Sequence, residues 1–297
     1  MPRGIDHLVI AVRNLDAARQ AWARLGFTLA PTARHPFGTS NTVIQLGGSY
    51  LELLAVTDPS IIPAEVPGTF SFAAFNRDFL SRHEGISMLA LKSRDAAADR
   101  ASFQKDDLPV FAPLDFARQA TGPDGVSREI SFSLAFTREP RLREIGFFTC
   151  QHHHPENFWR EEYQGHANGA EQVASAILVA RDPADFHAFL AKFTDQHDMT
   201  STSIGLTIDT GEGTVDVLSP IGFRAWFGES PGVDPRRILA CRISVADLSH
   251  TATHLKEQGV PFLEKAESLI VSPEAATGAF VAFVQKDRDL SGGEATP

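Results

Sequence analysis

The chain opens with a pattern of apolar and polar positions that predicts one strand, one helix and three further strands. Residues 8–12 are all apolar, as in a strand covered on both faces, and His7 precedes them. Asn14 is a typical helix N-cap and Gly26 a typical helix end, and apolar residues between them recur on one face. Two apolar runs then flank Gly47-Gly48, which indicates a hairpin. Residues 4–57 are therefore predicted to form a βαβββ module.

The same pattern recurs three times along the chain. A second module, residues 85–153, begins with an apolar strand and an Asp-Ala-Ala helix start at 95–97. A third and a fourth lie within 171–286, and ILVARDPADFHAFL of the third closely matches VIAVRNLDAARQAW of the first. Because repeated units indicate a repeated architecture, we predict an α+β fold of four βαβββ modules in two consecutive pairs. A connector at 154–170 and a disordered tail at 287–297 complete the prediction.

Composition restricts the partners of the protein. The 27 basic and 37 acidic residues give a net charge of −10, which disfavours nucleic acid and anionic membrane surfaces. No apolar run approaches the roughly 20 residues that span a bilayer. The N-terminus enters the first strand directly, leaving no room for a signal peptide, and two widely separated cysteines fit a reducing compartment. We therefore expect a cytoplasmic protein with a small-molecule partner and no nucleic-acid or membrane partner.

Two polar residues stand alone in apolar strands and are the first candidates for chemistry. His7 begins the opening apolar run, and Glu52 lies within the run YLELLAV. Burying a lone carboxylate costs several kcal/mol unless something pairs it. A cation held between His7 and Glu52 would satisfy both groups. The alternative is a buried hydrogen bond between imidazole and carboxylate, without a metal.

The chain contains 11 histidines, and three of them are consecutive at 152–154. In a regular strand His152 shares a face with Cys150, and His153 lies on the other face. One of the three is a candidate metal ligand and another a candidate general acid or base near pH 7. The alternative is a strand end whose rings bond to backbone or stack on aromatic neighbours. Cys150 itself is predicted to be a core thiol.

Four βαβββ units in two pairs resemble the vicinal oxygen chelate superfamily, which includes glyoxalase I, extradiol dioxygenases and bleomycin-resistance proteins. The stretches HPFGTSNTVIQLGGSYLELLAV, CQHHHPENFW and HANGAEQV are similar, more specifically, to glyoxalase-like proteins of that superfamily. The resemblance implies that each pair forms a cupped half-barrel sheet with its helices outside. It also implies a divalent metal ion at the cup floor, held by residues of the first and last strands of each module.

The resemblance carries His7 and Glu52 onto the first-strand and last-strand ligand positions of the first module. Matching the helix starts of the two modules places Ile86 opposite His7. Neither that residue nor its neighbours on the same strand face supplies a ligand for a hard metal: Ile86, Met88 and Ala90. His152 is the residue we expect to complete a three-ligand site. The second pair offers one possible ligand in four positions, Asp216, and is predicted to be degenerate.

Polar residues of the segment ARHPFGTSNTVI fall at the mouth of the first cup, namely His35, Thr39 and Asn41. Polar groups that converge on a concave floor suit a small-molecule site, so we assign them to substrate contact. The alternative is turn chemistry, because Asn and Thr side chains also bond to their own backbone. Trp159 is a candidate for an apolar wall of the same pocket.

These residues predict a metal-dependent lyase or isomerase that acts on a small vicinal-oxygen substrate. A Zn, Ni, Mn or Fe ion on His7, Glu52 and His152 would act as a Lewis acid, while Glu52 or His152 moved a proton. One alternative is a non-catalytic small-molecule binding protein of the bleomycin-resistance type, and another is an extradiol-type dioxygenase. Four modules can close both cups within one chain, so monomer and homodimer are both open.

Overall fold

A computed structural model of the chain describes residues 2–64, 66–122, 125–265 and 267–286. Within these residues the chain forms two eight-stranded sheets. The strands of the first sheet lie between Ile5 and His152, and those of the second between Ala170 and Gln285. The disordered tail predicted at 287–297 lies outside the described residues.

The first sheet is built from two modules with one element order. The first module contains β1 (Ile5–Ala11), α1 (Leu15–Arg24), β2 (Ala33–Arg34), β3 (Thr39–Gln45) and β4 (Tyr50–Val56). A 3-10 helix (Pro59–Ile61) and α2 (Phe72–Leu80) follow, in a segment for which the repeat pattern makes no prediction. The second module contains β5 (Gly85–Ser93), α3 (Ala96–Lys105), β6 (Leu114–Thr121), β7 (Ser127–Thr137) and β8 (Gly146–His152).

The second sheet repeats this order after the connector, which contains α4 (Pro155–Phe158) and a 3-10 helix (Glu161–Tyr163). The third module contains β9 (Ala170–Val179), a 3-10 helix (Pro183–Phe186), α5 (His187–Thr194), β10 (Met199–Thr202), β11 (Gly205–Asp209) and β12 (Thr214–Leu218). Helix α6 (Pro220–Phe227) follows. The fourth module contains β13 (Arg237–Val245), α7 (Leu248–Glu257), β14 (Phe262–Lys265), β15 (Ser268–Val271) and β16 (Phe280–Gln285).

Strand pairing confirms the predicted α+β fold of four βαβββ modules in two pairs. The first sheet has the order β2-β3-β4-β1-β5-β8-β7-β6, and the second has the corresponding order β10-β11-β12-β9-β13-β16-β15-β14. The first strand of each module pairs in parallel with its last strand, as β1 does with β4. The first strands of the two modules pair antiparallel, as β1 does with β5. This arrangement brings the first and last strands of each module to the middle of the sheet.

The outer faces of both sheets share one hydrophobic core with helices α1, α3, α5 and α7. Its largest members come from all parts of the chain, including Trp22 on α1, Phe103 on α3 and Phe193 on α5. Phe193 contacts Phe103 and Phe147 with ring centroids 6.0 and 5.3 Å apart, so the third module packs against the second. Separate clusters cover the inner face of each sheet. None of the helices in the described residues is long and apolar enough to cross a bilayer.

The first sheet curls until its two edge strands approach each other. His35 and Phe37, which follow β2, each lie 5.6 Å from Phe116 on β6, measured between ring centroids. The curl makes the inner face concave and turns the inward side chains of the central strands toward one another. Candidate chemistry is therefore concentrated on this inner face.

Candidate functional site

A β-bulge in β1 brings Asp6 and His7 together. The pairing with β5 passes from Ile5 opposite Leu91 directly to His7 opposite Ala90, so Asp6 is the extra residue on its strand. Neighbours in a regular strand point to opposite faces, but here Asp6 Oδ1 lies 2.6 Å from His7 Nδ1. The contact occupies one ring nitrogen of His7 and leaves the other, Nε2, facing the inner side of the sheet.

Asp6 is a buried carboxylate shared by two imidazoles. His152 Nε2 lies 3.2 Å from Oδ2 of Asp6 and 3.3 Å from its Oδ1, the oxygen that also contacts His7. Burial by itself would raise the pKa of Asp6, but the charges and hydrogen bonds of His152 and His7 together hold it well below its usual range. Asp6 is therefore anionic and orients both rings.

Glu52 lies on β4, next to β1, and meets two imidazoles from the inner side. His7 Nε2 is 3.9 Å from Glu52 Oε2, and His35 Nε2 is 3.9 Å from Glu52 Oε1. Asn41 on β3 donates a hydrogen bond to Oε1 at 2.5 Å. Burial raises the pKa of Glu52, although His7 and the Asn41 hydrogen bond favour the charged form. Among the described residues, no lysine or arginine forms an ion pair with this carboxyl group.

His35 is held in a neutral state beside Glu52. Its Nδ1 bonds to Thr39 Oγ1 at 2.8 Å, which leaves Nε2 directed at the carboxylate. Burial, with a smaller contribution from the positive charge of Arg118, lowers the pKa of His35 to about 3. A neutral ring with an exposed lone pair is the form of histidine that binds metal ions.

These groups line a small cavity, which we call the inner cavity. Its polar lining comes from His7, His35, Asn41, Tyr50, Glu52, Arg118 and Cys150, and most of the remaining wall is aromatic: Phe37, Phe72, Phe116, Phe132, Phe148 and Phe158. Tyr50 stacks on His7 with ring centroids 4.2 Å apart and fixes its plane. The cavity measures about 30 Å³, which suffices for one ion or one to two water molecules.

The predicted site residues divide between the inner cavity and the opposite side of Asp6. The inner cavity receives His7, Glu52, His35 and Asn41, whereas Thr39 supports His35 through its hydroxyl group. His152, expected to complete the ligand set, contacts Asp6 instead and lines a separate surface cavity of about 550 Å³, with Trp159. The His152 and Trp159 rings stack at 6.2 Å between centroids.

The other two histidines of the run face different groups. His153 Nε2 bonds to Ser133 Oγ at 2.8 Å, and His154 Nδ1 lies 3.4 Å from Glu156 on the surface. Among the three, His152 is the one that contacts Asp6. Its orientation follows from β8, which ends at His152 and pairs that residue with Phe132 on β7.

Two residues of the site escape the sequence pattern, Asp6 and Arg118, whereas Cys150, predicted to be a core thiol, is buried beside Asp6. Donor atoms of Asp6, His7 and Cys150 all lie within 4.8 Å of one another, which makes a second possible metal site that shares His7. Burial, together with the nearby Asp6 and Glu52 charges, raises the pKa of the Cys150 thiol well above its usual range. Metals bind the thiolate, so this set would hold an ion only after Cys150 lost its proton.

The structural repeat corrects the predicted match between modules one and two. Helix α1 is capped by Asn14 and α3 by Asp95, and the bulge at Asp6 before His7 corresponds to a bulge at Ser87 before Met88. Met88, and not Ile86, is therefore equivalent to His7. The prediction was wrong by two residues because it aligned Asp95 with an acid of the first helical turn, which is not a capping residue.

In the second pair, the residue equivalent to Glu52 has a cationic side chain beside it. Asp216 is that equivalent, because Ile177 pairs with it as Val9 pairs with Glu52. Arg242 Nη1 lies 3.4 Å from Asp216 Oδ2, and its guanidinium carbon lies 3.9 Å from the Trp226 ring centroid. The carboxylate that has no lysine or arginine partner among the described residues of the first cup has a guanidinium partner in the second.

Four βαβββ modules in two cupped sheets define a protein of the vicinal oxygen chelate superfamily. Within that superfamily, the glyoxalase-like domain family matches residues 5–194, which include the whole first pair and the start of the third module. The chain therefore belongs to the glyoxalase-like domain family. A metal ion is usual in this superfamily.

Solved structures share the whole architecture at low sequence identity. A hypothetical protein from Staphylococcus aureus superposes with a TM-score of 0.69 and 13% identity, covering 96% of this chain and 100% of that chain. A triple mutant of 4-hydroxymandelate synthase from Streptomyces coelicolor gives a TM-score of 0.57 and 12% identity over 96% of this chain and 93% of that chain. At these identities the likeness establishes the fold alone.

Two other similarities cover only part of the relative. A xylose isomerase-like TIM barrel/4-hydroxyphenylpyruvate dioxygenase fusion protein has a TM-score of 0.59 and 15% identity over 99% of this chain but 51% of its own. The Fe(3+) ions import ATP-binding protein FbpC of Streptomyces coelicolor is 31% identical over 134 residues, which are 42% of this chain and 38% of that protein. This sequence has no GxxxxGK[ST] phosphate-binding loop, so we infer no nucleotide site from the match.

Proposed function

We propose that the protein is a metal-dependent lyase or isomerase acting on a small vicinal-oxygen substrate, with the ion held by His7, His35 and Glu52. The observation that carries the proposal is the approach of two imidazole Nε2 atoms to the two oxygens of one buried carboxylate, each at 3.9 Å. Among the sequence-based assignments, His35 moves from substrate contact to the ligand set. His152 becomes a residue that acts through Asp6.

The chemistry of these donors fits a divalent ion. Each histidine has its Nδ1 engaged, by Asp6 or by Thr39, and this leaves Nε2 as the ligand atom, as is usual at metal sites. His35 is neutral, and Glu52 is a buried carboxyl group without an ion pair of its own among the cations of the described residues. Two imidazoles and one carboxylate suit Zn, Ni, Mn or Fe and leave coordination positions open.

A divalent ion there would supply Lewis-acid polarisation of the two substrate oxygens. The protein groups orient that site and move the proton. Asn41 holds Oε1 of Glu52, so Oε2 is the oxygen that accepts and returns a proton at the substrate carbon. Burial raises the pKa of Glu52, and a bound cation would lower it again, so that Glu52 would be anionic as a ligand. Phe72, Phe132 and Phe148 keep bulk water away from the reacting atoms.

Metal analysis of the protein purified without chelators tests the proposal. We expect close to one equivalent of metal per chain, and loss of most of it in His7→Ala, His35→Ala and Glu52→Gln. His154→Ala is the matched control, because that ring lies on the surface and should not affect metal content. A protein that takes up no divalent ion would be a binding protein without metal. Full retention by His7→Ala would also reject the proposal.

A dioxygenase is the second candidate, and the donor set favours it. Two histidines and one carboxylate around open positions are the ligands of many non-haem Fe(II) oxygenases. Oxygen uptake by the Fe(II)-loaded protein with catechol would assign this chemistry. Exchange of a substrate C–H proton with solvent deuterium, without oxygen uptake, would assign the lyase or isomerase chemistry.

A further inference from the structure

A second cavity adjoins the inner cavity where the edges of the curled first sheet approach each other. This outer cavity, about 470 Å³, is bordered by residues 30–34 beside β2, by residues 118–120 on β6, and by the connector. Asn41, Val43, Arg118 and Phe158 line both cavities. The outer cavity has the size of a small-molecule site, and a ligand in it would reach the inner cavity past Arg118.

The outer cavity is positively charged in an acidic protein. Its lining includes Arg34, Arg118 and Arg160 and contains no aspartate or glutamate among the described residues. The chain as a whole has a net charge of −10. Three guanidinium groups around one concave surface would repel one another, and a bound anion would relieve that repulsion.

Arg118 lies where the two cavities meet, and its side chain has no hydrogen-bond or ion-pair partner among the described residues. Its Nε is buried and makes no hydrogen bond within the described residues. Glu52 attracts the guanidinium through space, but no ion pair joins them in the described part of the chain. A buried donor of this kind costs free energy unless a ligand or water satisfies it. The described residues therefore leave a buried donor of Arg118 free for a ligand.

We propose that the outer cavity binds the carboxylate of a small organic acid, with Arg118 as its principal partner. A guanidinium presents two parallel N–H donors that match the two oxygens of a carboxylate. The cavity also has apolar wall from Val43, Ile130 and Phe158, which suits a hydrocarbon body attached to the acid. Binding of an acid in the outer cavity stands without the proposed function. Only the identification of that acid as the substrate rests on the proposed function.

Binding of two probes that differ in charge tests the inference on metal-stripped protein at low salt. Phenylacetate and phenylacetamide have nearly the same shape, and calorimetry gives the two dissociation constants. We expect the acid to bind at least about tenfold more tightly than the amide, since one charged hydrogen-bonded pair is worth about that factor. We expect Arg118→Gln to abolish the difference, and Arg160→Gln and Arg34→Gln each to reduce it.

Arg181→Gln is the control, because it removes the same charge at an exposed residue paired with Asp182. Equal binding of acid and amide, or an Arg181→Gln effect as large as that of Arg118→Gln, would overturn the inference, as would no phenylacetate binding at millimolar concentration. If Arg118→Gln does not fold, Arg160→Gln and Arg34→Gln decide the result. The binding test uses metal-stripped protein and so does not depend on the proposed metal site. If the acid binds but the protein never takes up metal, the catalytic proposal is rejected and this inference stands.

Discussion

Asp6 Oδ1 lies 2.6 Å from Nδ1 of His7, the next residue on the same strand. The bulge that allows this contact gives His7 a carboxylate partner on one ring nitrogen and the inner cavity on the other. The same carboxylate contacts His152, so one buried acid links two cavities of the first sheet. Asp6 therefore influences both cavities, although the sequence around it does not mark it as a site residue.

Asp6→Asn should weaken metal binding while leaving the fold intact. Asparagine has the same shape but no charge, so His7 loses the anionic partner that orients its ring and increases its basicity. Changes of this kind typically lower metal affinity by about 10- to 100-fold. Metal titration with a competing chelator measures the effect. Asp115→Asn, at an exposed position on β6, is the control, and equal affinities for the two variants would contradict the assigned role.

His35 should make the protein less stable as the pH falls. Its folded-state pKa is lowered to about 3, below the usual value of 6.5, so below pH 6.5 the unfolded chain binds a proton that the folded protein excludes. This contribution to stability is present above pH 6.5 and is lost toward pH 3, by up to about 1.4 kcal/mol per pH unit.

Urea unfolding at several pH values between 7 and 4 measures that contribution. His35→Gln should show a shallower loss of stability than the unaltered protein across this range, because glutamine takes up no proton. His197→Gln replaces an exposed histidine and should follow the unaltered protein. Parallel curves for all three proteins would show that His35 is not a buried neutral ring.

Arg242→Ala should destabilise the second pair by about 3 kcal/mol near neutral pH, because it leaves the buried Asp216 carboxylate without a cation. Burial raises the pKa of Asp216, so the unpaired group can take up a proton, and the loss should shrink as the pH falls. Urea unfolding measures it, with Arg224→Ala on the exposed face of α6 as control. The double variant Arg242→Ala/Asp216→Asn should recover most of the stability; if it does not, the ion pair is not the cause.

Phe116→Ala should open the inner cavity to solvent. The half-buried ring lies between the two sheet edges, 5.6 Å from the rings of His35 and Phe37. We expect faster removal of bound metal by excess chelator, at similar equilibrium affinity, because the ligands are unchanged and only access improves. Phe75→Ala removes a half-buried ring outside this cavity and should leave the rate unchanged. Equal rates for the two variants would show that Phe116 does not close the cavity.

Local sequence patterns predicted much of the fold. The Asn14 cap, the Asp-Ala-Ala helix start at 95–97, apolar strands and glycine turns are short-range signals, and they identified all four modules. They also identified His7 and Glu52, because a lone polar residue in an apolar strand is visible without any coordinates. The match of Ile86 to His7 was wrong because a first-turn acid and an N-cap acid have the same appearance in sequence.

By itself, then, the sequence determined the repeated module and the two polar residues in its central strands. Tertiary structure decided which groups meet: the Asp6 bulge, the direction of His152, the third imidazole from His35, and Arg118 between two cavities. The reason is that strand periodicity depends on neighbours along the chain. A bulge depends on pairing with a distant strand, and the contact between β2 and β6 depends on the curl of the whole sheet.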